Sequence, residues 1–124
     1  MMYIPESAEN YLETIYVLGK NGTPVRAIDI ASALGYSKPS VSIALRNLRE
    51  SGHVAVQGGR ICLTQTGQAV AEAMHDRHMV LSDWLIALGV DRNIAHTDAC
   101  KIEHVLSEQS FAAIKKFLQK TLDN

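Results

Sequence analysis

Two stretches near the start of the chain space their apolar residues as amphipathic helices do. Residues 6–18 place apolar side chains at intervals of three and four positions, which predicts a first helix. Residues 25–35 predict a second, short helix that ends at a glycine. We expect the inward side of this second helix to consist of Ile28, Ala31 and Leu34.

The next two stretches change from helical spacing to alternation. Residues 36–52 predict a third helix, for which Ser37 is a favourable N-cap and Pro39 suits the first turn. Residues 53–64 alternate around a Gly-Gly pair, which predicts a β-hairpin. Helix, tight turn, serine-rich helix and hairpin together predict a winged helix-turn-helix.

The second half of the chain reads as helical throughout. Residues 66–89 predict a long helix, residues 92–106 a helix capped by Asp91, and Ser107 caps a last one. The expected fold class is therefore mostly α. The expected inward stripe of the long helix comprises Val70, Met74, His78, Leu81, Leu85 and Leu88, and the apolar face of the last helix Phe111, Ile114, Phe117 and Leu118.

Charge is distributed unevenly along a nearly neutral chain. The net charge is −1, yet residues 20–60 contain six basic against two acidic side chains. A basic segment of this kind indicates a DNA-facing lobe. Two cysteines and the absence of a basic-then-apolar N-terminus predict reduced thiols and a cytoplasmic protein.

The predicted 92–106 helix contains four side chains of the types that bind metals. His96, Cys100, Glu103 and His104 fall within about 100° of arc, and His78 lies on the preceding helix. Sulfur, nitrogen and oxygen donors together suit a first-row divalent ion. A nucleophilic Cys100–His104 pair is the enzyme alternative, which the lack of any oxyanion-hole motif disfavours. For Cys62, His53 and His75 we favour structural or solvent roles.

Several segments resemble the DtxR/MntR family of metal-dependent transcriptional repressors. They include "DIASALGYSKPSVSIALRNLRESGHV" (29–54), "RHMVLSDWL" (77–85) and "DACKIEHVLS" (98–107). The resemblance implies a homodimer that binds operator DNA, with a DNA-binding domain at 1–65 and a helical metal-binding and dimerisation domain at 66–124. It also implies that metal bound between the lobes sets the dimer geometry. The chain looks like the short form without an SH3-like domain.

The resemblance also implies a ligand set. Cys100, Glu103 and His104 match the main cluster, His78 a ligand of the long helix, and His96 a ligand of an ancillary site. Asn10 and Glu13 occupy ligand positions of the first helix, although Asn10 offers only a neutral oxygen, and Ser82 stands where a carboxylate occurs in the iron branch. The thiol favours Fe²⁺ over Mn²⁺. A winged-helix regulator with a vestigial metal site is the alternative function.

The helix that starts at Ser37 is expected to enter the major groove of DNA. Its leading serines and Pro39 reach base edges, whereas arginines contact phosphates. Arg60 marks the hairpin tip, and Trp84 and Phe111 are expected at the dimer surface or in the core. The candidate DNA-binding residues are Arg26, Ser37, Lys38, Pro39, Ser40, Ser42, Arg46, Arg49 and Arg60.

Overall fold

The structure, a computed structural model, describes residues 5–123. The mostly helical fold with an N-terminal winged helix-turn-helix is confirmed, and the chain divides within its longest helix into two compact units, one ending at Ala73 and one starting at Met74. The elements in chain order are α1 Glu6–Leu18, α2 Ala27–Leu34, α3 Lys38–Glu50, β1 Val54–Gln57, β2 Arg60–Leu63, α4 Gln65–Ala87, α5 Arg92–Ile102 and α6 Glu108–Asp123.

The core of the first unit is built by one face of each of its helices. Leu12 of α1, Ile30 of α2 and Val41 of α3 are completely buried. Gly35 ends α2 in the left-handed conformation, with φ 70°, which a glycine adopts without steric cost. The chain then turns directly into α3. The apolar spacing and the glycine of the sequence thus define the helix-turn-helix.

The start of α3 is fixed by its cap. The Ser37 Oγ accepts a hydrogen bond from the Ser40 N–H at 3.3 Å, and Pro39 occupies the first turn. An N-cap serine typically contributes about 1 kcal/mol to helix stability. The predicted cap is therefore confirmed.

The hairpin forms the wing and also recruits a third segment. β1 and β2 pair antiparallel, with Val56 opposite Ile61 and Gln57 opposite Arg60. Val25 forms an isolated antiparallel bridge to Ile61, whose N–H donates to the Val25 carbonyl at 2.8 Å. The sequence pattern predicted the hairpin but not this bridge.

One inward position predicted for α2 is wrong. Ile28 is 54% exposed, whereas Ile30 and Ala31 are buried. The inward face of α2 is instead formed by Ile30, Ala31 and Leu34. At about 100° per residue, Ile28 lies nearly opposite Ile30.

The second unit contains two departures from the predicted helix ends. α4 stops at Ala87, so that Leu88 is exposed and lies outside the helix. Gly89 has φ 100°, and the Val90 N–H donates back to the Leu85 carbonyl at 3.0 Å. Such a bond is typical of a helix closed by a left-handed glycine.

α5 likewise ends at Ile102 and not at residue 106. The reason is Arg77 of α4, whose Nη1 donates to the carbonyls of Glu103 at 3.1 Å and of Leu106 at 2.7 Å. The guanidinium takes over carbonyls that a continuing helix would have bonded internally. Residues 103–106 therefore form a turn, which leads to the confirmed cap of α6, where the Ser107 Oγ accepts from the Ser110 N–H at 3.1 Å.

Within residues 5–123, no helix combines the length and the apolar content that a membrane span requires.

Gly67 in the first turn of α4 lies directly against the backbone of His53. A Cβ at this position would overlap the His53 carbonyl. Helix propensity alone predicts that Gly67→Ala stabilises the protein by about 1 kcal/mol. We expect the steric overlap to outweigh this gain in helix propensity. The free energy of unfolding, measured with urea, should fall by about 1–3 kcal/mol.

Gly19→Ala is the matched control. Gly19 has φ −89°, and its added Cβ would lie 3.3 Å from the Ile15 carbonyl oxygen, which a small adjustment relieves. If Gly67→Ala proves no less stable than Gly19→Ala, the close packing of α4 on His53 is not what constrains this position.

Candidate metal centre and DNA-binding surface

His78 of α4 is the hub of a cluster of possible metal ligands. Its Nδ1 lies 3.8 Å from the Cys100 Sγ and 3.5 Å from the Glu103 Oε2. One donor atom from each of these three residues lies within 4.8 Å of the others. The structure thus brings together a nitrogen, a sulfur and an oxygen donor, although His78 and Glu103 are 25 positions apart in the sequence.

Glu103 is the most unusual member of this cluster. Its side chain is fully buried, and neither carboxylate oxygen makes a hydrogen bond within the described part of the chain. The nearest nitrogens are the His78 Nδ1 and the His104 Nε2, each at 3.5 Å, which is longer than a good hydrogen bond. Burying a carboxylate without strong partners is costly. A divalent cation among these donors would offset that cost, so the residues fit a metal site.

The local charges leave His78 positively charged over a wide pH range. Interaction with the Cys100 thiol and then with the Glu103 carboxylate raises the pKa of His78 to about 10, although burial by itself lowers it. In the metal-free chain a proton on His78 therefore supplies the positive charge beside Glu103.

The second nitrogen of His78 faces His96 of α5. The His78 Nε2 lies 3.3 Å from the His96 Nδ1, which is also 3.1 Å from the Ser82 Oγ. Ser82 is fully buried. When the Ser82 hydroxyl and the His78 Nε2–H both donate, the His96 Nδ1 is a shared acceptor. This chain of contacts was not predicted from the sequence, in which Ser82 stood out only as a replacement for the carboxylate of the iron branch.

The remaining predicted metal ligands belong to the first unit. Asn10 and Glu13 both lie on α1, where Glu13 is buried and Asn10 half-buried. Their part in metal binding stays a prediction.

The predicted DNA-binding side chains of α3 are all exposed. Two of them are tied to each other, since the Ser37 hydroxyl donates to the Ser40 Oγ at 2.9 Å while it caps the helix. Lys38, Pro39, Ser42, Arg46 and Arg49 also lie on the exposed side of α3.

Arg26 and Arg60 come close together at the wing. The Val25–Ile61 bridge makes them neighbours across the two segments, and the Arg26 guanidinium lies 3.0 Å from the point where a Cβ on Gly59 would stand. Two cations at one edge suit a phosphate backbone. This pairing was not foreseeable from residues 34 positions apart.

Two family models match nearly the whole chain. The iron-dependent repressor N-terminal DNA-binding domain matches residues 4–60. The iron-dependent repressor metal-binding and dimerisation domain matches residues 64–123. These matched ranges contain every candidate ligand and every candidate DNA-binding residue.

Two transcriptional regulators are similar to this chain in sequence, in agreement with these family models. The transcriptional regulator MntR of Escherichia coli O157:H7 is 34% identical over 116 residues, which cover 93% of this chain and 75% of that protein. The iron-dependent repressor IdeR of Mycobacterium tuberculosis is 35% identical over 127 aligned positions, covering 100% of this chain and 53% of that protein.

A solved structure of a manganese-dependent transcriptional repressor in complex with manganese is similar with a TM-score of 0.84 and 31% identity. The match covers 90% of this chain and 52% of the other, so this chain spans about half the length of that protein. The winged helix, the donor cluster and these matches agree: the chain belongs to the iron-dependent repressor family of metal-dependent transcriptional regulators.

Proposed function

We propose that this protein is a divalent-metal-dependent repressor of transcription that controls iron or manganese homeostasis. The observation that carries the proposal is the buried Glu103 carboxylate, which stands beside His78, Cys100 and His104 with no ordinary hydrogen bond among the described residues. A bound divalent cation would neutralise this carboxylate and hold the donors in one arrangement.

We propose that His78, Cys100, Glu103 and His104 form the main ligand set. For His96 two roles are open. The resemblance implies an ancillary ligand, whereas its contacts support a role as the acceptor that orients His78, because metal on the Nδ1 of His78 leaves the Nε2 protonated and facing His96.

Fe²⁺ is the proposed metal, ahead of Mn²⁺. The cluster offers one sulfur and two imidazoles beside a single carboxylate. Hard, oxygen-rich sites suit Mn²⁺, and a softer mixture suits Fe²⁺. The similarity to a manganese-dependent and to an iron-dependent repressor is compatible with either ion.

Metal and DNA are proposed to be coupled through α1. The resemblance implies that Glu13 and Asn10 add oxygen donors from the DNA-binding domain, for which we propose residues 1–65. Donors from both domains would fix the spacing of two recognition helices in a homodimer, about 34 Å for one turn of DNA. By linkage, DNA then favours the metal-loaded form.

The proposed partners are double-stranded operator DNA and a second copy of the chain. Phe117 and Leu122 of α6 are 62% and 69% exposed, and apolar side chains of this size are commonly covered in dimers. We propose that the repressor acts in the cytoplasm, as a DNA-binding regulator and not as an enzyme.

Glu103→Gln is the direct test of the metal site. It keeps the shape of the side chain but removes the anionic donor, so Fe²⁺ affinity measured anaerobically by calorimetry should fall by more than about tenfold, since even residues outside a ligand set often contribute that much. Asp98→Asn, an exposed change on the preceding helix α5, is the control and should leave affinity unchanged.

Glu13→Ala separates metal uptake from activation. We expect it to reduce metal-stimulated DNA binding more than metal affinity, because most proposed ligands lie elsewhere. If neither Glu103→Gln nor Glu13→Ala alters metal-stimulated DNA binding, the site is vestigial and another signal controls the protein.

The raised pKa of His78 has a consequence for stability. Protonation of His78 stabilises the metal-free fold fully below pH 6.5, and this contribution is lost as pH rises towards about 10. In chelator-treated protein, the excess unfolding free energy of wild type over His78→Gln should therefore shrink across that interval. A constant difference would show that the folded chain does not hold this proton.

Arg60→Ala tests the wing. Removal of one phosphate contact per subunit should weaken binding to all duplexes and reduce the slope of log affinity against log salt by about one unit per subunit. Arg92→Ala, an exposed arginine of α5, is the control. A changed sequence preference with an unchanged slope would instead make Arg60 a base-reading residue.

A further inference from the structure

An exposed isoleucine stands on the outer side of the recognition helix. Ile43 is 52% exposed, whereas Val41, Leu45 and Leu48 of the same helix are buried. At about 100° per residue, Ile43 lies roughly opposite the centre of this buried face. It is one turn beyond Pro39 and one turn before Arg46, and both of these are exposed too.

The serine hydroxyls at the start of this surface are already engaged in hydrogen bonds within the protein. The Ser37 and Ser40 hydroxyls bond to each other at 2.9 Å, and Ser37 also caps the helix. Arg46 and Arg49 are long cations suited to phosphates. Along the outer line of α3, Pro39 and Ile43 are therefore apolar, with Arg46 and Asn47 beside them and Glu50 at the far end of the helix.

Helix formation does not account for an isoleucine at position 43. A β-branched side chain lowers helix propensity slightly. An exposed one also contributes no stabilisation from burial. In the major groove, the feature of the bases that an aliphatic side chain can recognise is the C5-methyl group of thymine. The flanking cations bring phosphates, and hence the groove, to this surface.

We propose that Ile43 is a specificity-determining residue that recognises a thymine methyl group in each half-site. The inference rests on the proposed DNA-binding function and deepens it. Ile43 selects thymine by removing its methyl group and the isoleucine side chain from water together, without any hydrogen bond. Sequence preference at that base pair then depends on one methyl group.

Deoxyuridine tests the proposal, because it differs from thymidine only by that methyl group. A preferred duplex is first selected from a random library with metal-loaded wild-type protein, and its thymines are then replaced one at a time. Loss of the contacted methyl should weaken binding by about fourfold per half-site, the value expected for one buried methylene-sized group. Ile43→Ala should bind the thymine duplex more weakly and be indifferent to the same replacement.

Ile28→Ala is the matched control, since Ile28 is equally exposed at 54% but lies on α2. It should keep the wild-type sensitivity to deoxyuridine. Circular dichroism melting checks that the exposed substitutions leave the fold intact.

Two results would overturn the inference alone: wild type that is indifferent to deoxyuridine at every position, or Ile43→Ala that keeps the wild-type sensitivity. Failure of the metal-loaded wild type to enrich any duplex would overturn the proposed function as well.

Discussion

The buried carboxylate of Glu103 is the constraint on which the second unit depends. It has no strong hydrogen-bond partner among the described residues and sits between two imidazoles at 3.5 Å. An anion in such surroundings requires positive charge, and the chain provides it with a proton on His78 when no cation is present. A metal bound at His78 as we propose would have to displace this proton.

Local signals in the sequence were sufficient for most of the fold. Ser37, Asp91 and Ser107 cap helices as their residue types predict, with the Asp91 Oδ2 accepting from the Asn93 and Ile94 N–H groups at 3.1 and 3.3 Å. The Gly-Gly turn gives the hairpin its register. Each of these features is decided by residues a few positions apart, which is the range over which sequence patterns are informative.

The features that the sequence patterns did not predict depend on contacts between residues far apart in the sequence. α5 ends early because Arg77 donates a hydrogen bond to the carbonyl of Glu103, which lies 26 residues later in the chain. The bridge from Val25 to Ile61 joins residues 36 positions apart and was likewise not predicted. In the same way, the donor cluster was recognised from spacing on one helix, but the buried Ser82 and its contact with His96 depend on how α4 and α5 pack. Patterns on a single element cannot show which groups a second element brings to it.

Arg77 also lies over the ring of Phe111, with its guanidinium carbon 5.1 Å from the ring centre. One side chain on α4 thus supports both the turn that carries Glu103 and His104 and the aromatic residue near the start of α6. The position of Phe111 is therefore linked through Arg77 to the turn that holds two of the proposed ligands, although Phe111 itself is not one of them.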